Sequence, residues 1–237
     1  MESRNDRHHT SLVDVTHILA IRHGETAWNV DTRIQGQIDI PLNDQGRWQA
    51  RRLAAALCRE DHLDAIYASD LSRAVETARA VAERCELPLH LDAGLRERNF
   101  GVFQGRTTAE IERDFPDQVS RWRGRDPSFG PTEAETLQGF YDRCVGTFRR
   151  LAQAHPGQTI AVVAHGGVLD SLYRAATRHP IEAPRTWKIG NASVSRLLHS
   201  EGRLNLLHWG DTSHLDAVGE VLDEDGDGGR QERPPRD

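Results

Sequence analysis

Two short apolar runs, VTHILAI at 15–21 and TIAVVA at 159–164, end alike, each at a polar turn carrying a histidine and a glycine, RHG at 22–24 and HGG at 165–167. Runs of this length, rich in β-branched residues and closed by glycine, read as buried strands. After the second turn, VLDSLYRAA resumes a helical period. Apolar strand, polar junction and helix together predict an α/β/α sheet with its chemistry at the carboxyl ends of the strands.

The remaining pattern fills in that architecture. Residues 25–43 read as a loop, and Asn43 as the cap of a helix whose Ala50, Leu53, Ala54 and Leu57 share one face. Residues 63–68 (LDAIYA) form a second strand, and Ser69-Asp70 offers a cap for a helix running to about Arg84, with Ala74, Ala78, Val81 and Cys85 inward. Arg73, near its start, is expected to reach across the end of the first strand and not to enter the core. Residues 87–91 suit a sheet edge because Pro88 cannot donate to a ladder. Residues 95–105 (LRERNFGVFQG) read as a loop, followed by short helices at 108–115 and 117–123. Leu137, Tyr141, Val145, Phe148 and Ala152 mark a long helix over 135–154, and residues 192–198 and 204–209 form a final antiparallel pair about Glu201-Gly202. The sheet is therefore mixed and mostly parallel.

A single domain over 15–215 is the simplest organisation, with a short cap insertion around 98–135. Residues 1–14 read as a flexible polar leader, whose His8 and His9 look solvated and not metal-binding. Residues 216–237 read as a disordered acidic tail. The net charge of -6, from 30 basic and 36 acidic side chains, offers no cationic surface for nucleic acid or an anionic membrane. The start lacks the apolar run of a secretory signal, and no apolar stretch is long enough to span a bilayer. Cys58, Cys85 and Cys144 lie far apart without metal-ligand spacing and suggest a reducing compartment. The expectation is a cytoplasmic protein.

A neutral imidazole such as that of His23 can attack phosphorus, and an unperturbed pKa of about 6.5 makes that form accessible near neutrality. Arg22 and Arg73 can oppose phosphate charge, Arg73 in bidentate fashion. His165, at another strand end, can hydrogen-bond a phosphoryl oxygen and, when charged, stabilise the transferring group. Glu97 can deliver a proton to the departing ester oxygen. Taken singly, each is more ordinarily a structural or solvated side chain; it is their joint placement at strand ends and helix starts that favours chemistry.

The segments IRHGET at 21–26 and WN at 28–29, with those at 36–46, 69–78, 95–105, 132–137, 162–169 and 191–197, resemble in order the histidine phosphatase superfamily, also called phosphoglycerate mutase-like. The resemblance runs from about Thr16 to Leu215. It implies a three-layer α/β/α sandwich with a mixed sheet. It also implies a phosphorylated His23, a phosphate pocket including Arg22, Arg73 and His165, and Glu97 as proton donor and then acceptor. Asn29 matches a polar residue of that pocket. Gln35 and Asn191 are weaker candidates, for which local turn or strand-end hydrogen bonds stand as an equal alternative. Guanidinium and imidazole groups supply the positive charge, so no metal or other cofactor is called for, and the P-loop pattern is absent.

Phosphohistidine serves hydrolysis or mutase chemistry alike. Glu97-Arg98 with Phe100-Gly101 resembles the mutase branch, but the interval 105–135 is short beside a mutase cap. Its arginines, Arg106, Arg113, Arg121, Arg123 and Arg125, alternate with acids as on a solvated helix. A phosphatase acting on a small phosphate ester, such as a sugar phosphate or phosphoglycerate, is favoured over a mutase, and both over a noncatalytic phosphate binder. Phe100, Phe103, Phe115, Trp122 and Phe129 read mainly as cap packing that can also rim the pocket. The resemblance is compatible with a homodimer.

Overall fold

The six strands form one sheet in the order β3-β2-β4-β1-β5-β6: β1 Thr16–Arg22, β2 Ala65–Ala68, β3 Leu89–Leu91, β4 Thr159–Ala164, β5 Val194–Ser200 and β6 Arg203–Asp211. The helices are α1 Ala27–Val30, α2 Asp44–Glu60, α3 Ser72–Arg84, α4 Thr108–Asp114, α5 Pro116–Arg123, α6 Leu137–Gln153 and α7 Gly166–Thr177. The computed structural model describes residues 15–216, so the leader 1–14 and all of the acidic tail beyond 216 lie outside the described residues.

Strands β3, β2, β4 and β1 are parallel, while β5 and β6 run antiparallel at the other side. Side chains alternate across a strand, so each central strand feeds two cores. Ile18, Ala20, Ile160, Val162 and Ala164 face Phe148, Leu151, Val168 and Leu172 of α6 and α7. Leu19, Ile21, Ala161 and Val163 face Leu53, Leu57, Ala74 and Ala78 of α2 and α3. The result is a three-layer α/β/α sandwich with a mixed, mostly parallel sheet. Burying each of the larger aliphatic side chains contributes about 1.5–3 kcal/mol.

The segment between β3 and α6 builds its own small core. Phe103, Ile111 and Val119 are buried there, with Phe100, Phe115 and Trp122 against them. Thr107 caps α4 through a reciprocal box with Glu110. This cap lies over the carboxyl ends of β1 and β4.

Several local expectations need correction. The loop at 25–43 contains the helical turn α1, because Thr26 and Asn29 form a capping box. Neither Ser69 nor Asp70 caps α3. Ser69 Oγ accepts from the Leu71 N–H and Asp70 is held by Arg96, so the first free N–H of α3, on Ser72, donates instead to Asp39 Oδ1 at 2.7 Å. Strand β3 is shorter than 87–91, although it does take the sheet edge. Cys58 and Cys85 were expected to stay apart, yet they form a disulfide with 5.4 Å between Cα atoms. Their distance in sequence is removed by parallel packing of α2 on α3, which sets the carboxyl ends of the two helices side by side after the crossover through β2. Cys144 is a buried free thiol.

Two glycines let α2 approach the turn after β1. A Cβ on Gly24 would lie 2.6 Å from the Gly46 carbonyl oxygen, and one on Gly46 would lie 2.1 Å from the Glu25 carbonyl oxygen. Both obstacles are backbone and cannot swing away. Gly46→Ala should therefore cost about 1–3 kcal/mol by overpacking, read as a lower midpoint in denaturant melts; an unchanged midpoint would show that the contact is slack.

Candidate active site

Arg22 and Ala164 are paired at the last rung of β1 and β4. The next residues, His23 and His165, therefore leave adjacent strand ends side by side, with the His23 N–H donating to the Ala164 carbonyl at 3.0 Å and ring centroids 5.2 Å apart. His23 Nδ1 lies 2.6 Å from the Gly24 carbonyl oxygen. A carbonyl can only accept, so Nδ1 carries the proton and Nε2 of the neutral ring keeps its lone pair. Both nitrogens of His165 are buried and have no hydrogen-bond partner among the described residues.

Burial is the main cause holding the His23 pKa well below 6.5, followed by the charges of Arg73 and Arg22, with the Gly24 bond opposing. His165 is held down likewise, by burial first and then by Arg73, His23 and Arg22. The expectation of a positively charged His165 thus applies only once an anion offsets those arginines. Before that it is a neutral N–H donor.

Arg73 comes from the first turn of α3 and is only 1% exposed. Contrary to expectation it is buried, because the carbonyls of Ile38 and Gly36 accept from its guanidinium at 3.0 and 2.7 Å. Its Nε has no partner among the described residues, and burial pushes its pKa down to about 10. One turn later Thr77 Oγ1 donates to the Arg73 carbonyl and accepts from the Gly24 N–H, so a single helix positions the arginine and the turn that follows His23. Arg22 donates to the Ile189 carbonyl at 2.6 Å and leaves Nε unpartnered among the described residues. Desolvation lowers its pKa, with Glu97 opposing.

Glu97 accepts at Oε1 from the Arg98 N–H (2.8 Å) and at Oε2 from the Gly167 N–H (2.9 Å). The second donor belongs to the first turn of α7. A Cβ on Gly167 would lie 2.3 Å from Glu97 Oε1.

Arg22, His23, Asn29, Gln35, Arg73 and Glu97 all line one cavity of about 400 Å³. Gln35 is buried with an unpartnered Oε1 among the described residues. Asn29 turns its Oδ1 inward to the Thr26 N–H and hydroxyl. Asn191 stands behind the cavity, donating to the His23 carbonyl (3.1 Å) and to Asn29 Oδ1 (3.3 Å); the strand-end alternative describes its geometry. Phe100, Trp122 and Phe129 form an apolar wall, while Phe103 is fully buried in the cap. Of the cap arginines, Arg106 and Arg113 pair with Asp114, and Arg123 with Glu112. Arg121 and Arg125 line the cavity, paired with Asp126 and Asp170.

Sequence reasoning missed Thr77, Asp170 and Arg185, and it singled out Gly167 only as part of the HGG turn. Thr77 and Gly167 act through hydrogen bonds to groups distant in sequence, which only the fold reveals. Asp170 and Arg185 stand on and after α7. Among the described residues no cluster of three or more His, Cys, Asp or Glu is arranged to hold a metal, and no helix is long and apolar enough to cross a membrane.

Imidazole, guanidinium and carboxyl groups converging at strand ends of such a sandwich define a phosphate-handling scaffold. The chain matches the family described as histidine phosphatase superfamily (branch 1) over residues 18–212, and it belongs to that family. It is 39% identical to Phosphoglycerate mutase-like protein 4 of Arabidopsis thaliana over 87% of this chain and 90% of that one. It is 36% identical to the Metal-independent phosphoserine phosphatase of Arabidopsis thaliana, over 87% and 86%. The solved structure of mycobacterial glucosyl-3-phosphoglycerate phosphatase in complex with VO3 superposes with a TM-score of 0.73 at 32% identity, covering 82% of this chain and 98% of that one.

Because the Arg73 charge is one cause of the low His23 pKa, Arg73→Gln should raise it. The acid limb of kcat/KM should move to higher pH and the His23 imidazole should titrate higher by NMR; identical titration in both proteins would refute the coupling. Gly167→Ala should displace the Glu97 carboxylate by about 1 Å and lower kcat by up to roughly 100-fold, with the thermal midpoint kept as a control. Unaltered kcat would show that the carboxylate is not held by this contact.

Proposed function

We propose that the protein hydrolyses a small phosphate monoester through a phosphohistidine at His23. The observation that carries this reading is the Nδ1 contact to the Gly24 carbonyl, which leaves Nε2 free in a cavity with two buried guanidiniums. Nε2 attacks phosphorus as the ester P–O bond breaks, and Glu97 gives its proton to the departing oxygen. Arg22, Arg73 and His165 hold the phosphoryl oxygens as charge shifts between them. Water then attacks phosphorus as the N–P bond breaks, Glu97 takes a proton from that water, and phosphate leaves with His23 restored.

Support from relatives is divided by name between phosphatases and mutases. The balance goes to hydrolysis because three of the five cap arginines are spent on neighbouring carboxylates outside the cavity. A mutase must hold its second substrate oxygen against the phosphohistidine, which these side chains do not serve. The substrate belongs among small phosphorylated metabolites such as sugar phosphates or phosphoglycerates.

The test is a panel of phosphomonoesters with 2- and 3-phosphoglycerate, following phosphate release and positional exchange together. Release should exceed exchange and fall by at least about 1,000-fold in His23→Ala. Glu97→Gln should slow alkyl esters by roughly 100-fold or more while sparing nitrophenyl phosphate, whose leaving group needs little protonation. Exchange that outruns release and requires a bisphosphate primer would convert the assignment to a mutase.

A further inference from the structure

Beyond the phosphate pocket, the segment joining α7 to β5 is clamped to the molecule at both ends. At its start, the Pro180 carbonyl accepts from Arg174 at 2.5 Å and the Ile181 carbonyl from Arg125 at 2.8 Å. Asp170 Oδ2 ties those two guanidiniums together, at 2.9 Å from Arg174 and 3.0 Å from Arg125. At its end, the Ile189 carbonyl is held by Arg22. Between these anchors Trp187 stacks on Tyr173, with ring centroids 3.9 Å apart.

Arg185 stands on this fixed segment and lines the same cavity as His23 and Arg73. Arg174 and Arg125 have Asp170, and Arg121 has Asp126. Arg185 is exposed and forms no salt bridge among the described residues. Its charge is felt by Arg22 on the phosphate side and by Arg125 on the cap side, in keeping with its place in the cavity lining. A guanidinium in that position, with its carboxylate neighbours already committed, leaves the cavity mouth short of negative charge.

We propose that Arg185 is a specificity-determining residue that meets a second anionic group on the substrate, a carboxylate or a second phosphate, while the first phosphate occupies the His23 pocket. This rests on the phosphate-pocket reading above. The preferred substrates are therefore phosphate esters that carry a second anionic group, and esters of the same length without one bind more weakly. The Asp170 network acts at a distance from the ligand, holding the segment that carries Arg185.

The test uses P–C bonded ligands, so that binding is read without turnover: propylphosphonate, 3-phosphonopropionate and 1,3-propanediphosphonate, titrated calorimetrically into the full chain. At least one ligand with a second anionic group should bind 10-fold or more tightly than propylphosphonate, and the tighter of the two identifies the second anion. Arg185→Gln should reduce that ratio at least five-fold, whereas Arg203→Gln, an equal charge change on exposed β6 outside the cavity, should leave it intact. Equal affinities for all three ligands would overturn the proposal, as would a ratio that survives Arg185→Gln or falls equally in Arg203→Gln. Should the phosphonates show the ratio while no ester is hydrolysed, the phosphatase reading fails and the second-anion assignment stands.

Discussion

Everything in the site depends on the parallel pairing of β1 with β4. Because Arg22 and Ala164 share the final rung, both strands run out together, and two histidines emerge beside each other with no further element needed to bring them there. A slip of one residue would turn every side chain of β1 to the opposite face. The alternation of Leu19 and Ile21 against Ile18 and Ala20, each set buried on its own side, forbids that slip. Packing on two faces thereby sets the geometry of the reacting atoms.

Around this junction the chain buries two guanidiniums that form no salt bridge among the described residues, although Glu97 lies near both. Arg22 and Arg73 are desolvated, and each satisfies part of its guanidinium on backbone carbonyls of Ile189, Ile38 and Gly36. A carbonyl orients a guanidinium without cancelling its charge, so positive potential is retained for an incoming anion. Burial first, and the same potential after it, keeps both imidazoles neutral. Desolvation, which is unfavourable for the empty fold, leaves a cavity whose positive charge suits an anion.

Much of this was legible in sequence because it is written in local pattern. VTHILAI and TIAVVA locate the central strands to within a residue, and their terminal histidines follow directly. The periodic faces of α2, α3 and α6 are equally local. What stayed hidden depends on distant segments meeting. The start of α3 is capped by Asp39 from another loop, and Cys58 finds Cys85 only after two helices pack. Thr77 accepts from a backbone N–H 53 positions away, and the Gly167 N–H donates to a carboxylate 70 positions away. Arg73 was expected to meet phosphate, but its burial depends on carbonyls that sequence reasoning had no means to position. Arg185 sits in an irregular segment without periodicity, so only the cavity reveals it.

The central claim concerns the fate of the phosphoryl group between ester and water, and rapid mixing with a radiolabelled phosphate ester observes it directly. Quenching in alkali preserves an N–P bond that acid would destroy, and peptide mapping then locates the label. The account predicts a transient label on the peptide containing His23, formed at least as fast as steady-state turnover and decaying as free phosphate appears. Full-rate phosphate release with no label on His23 at any time would contradict it.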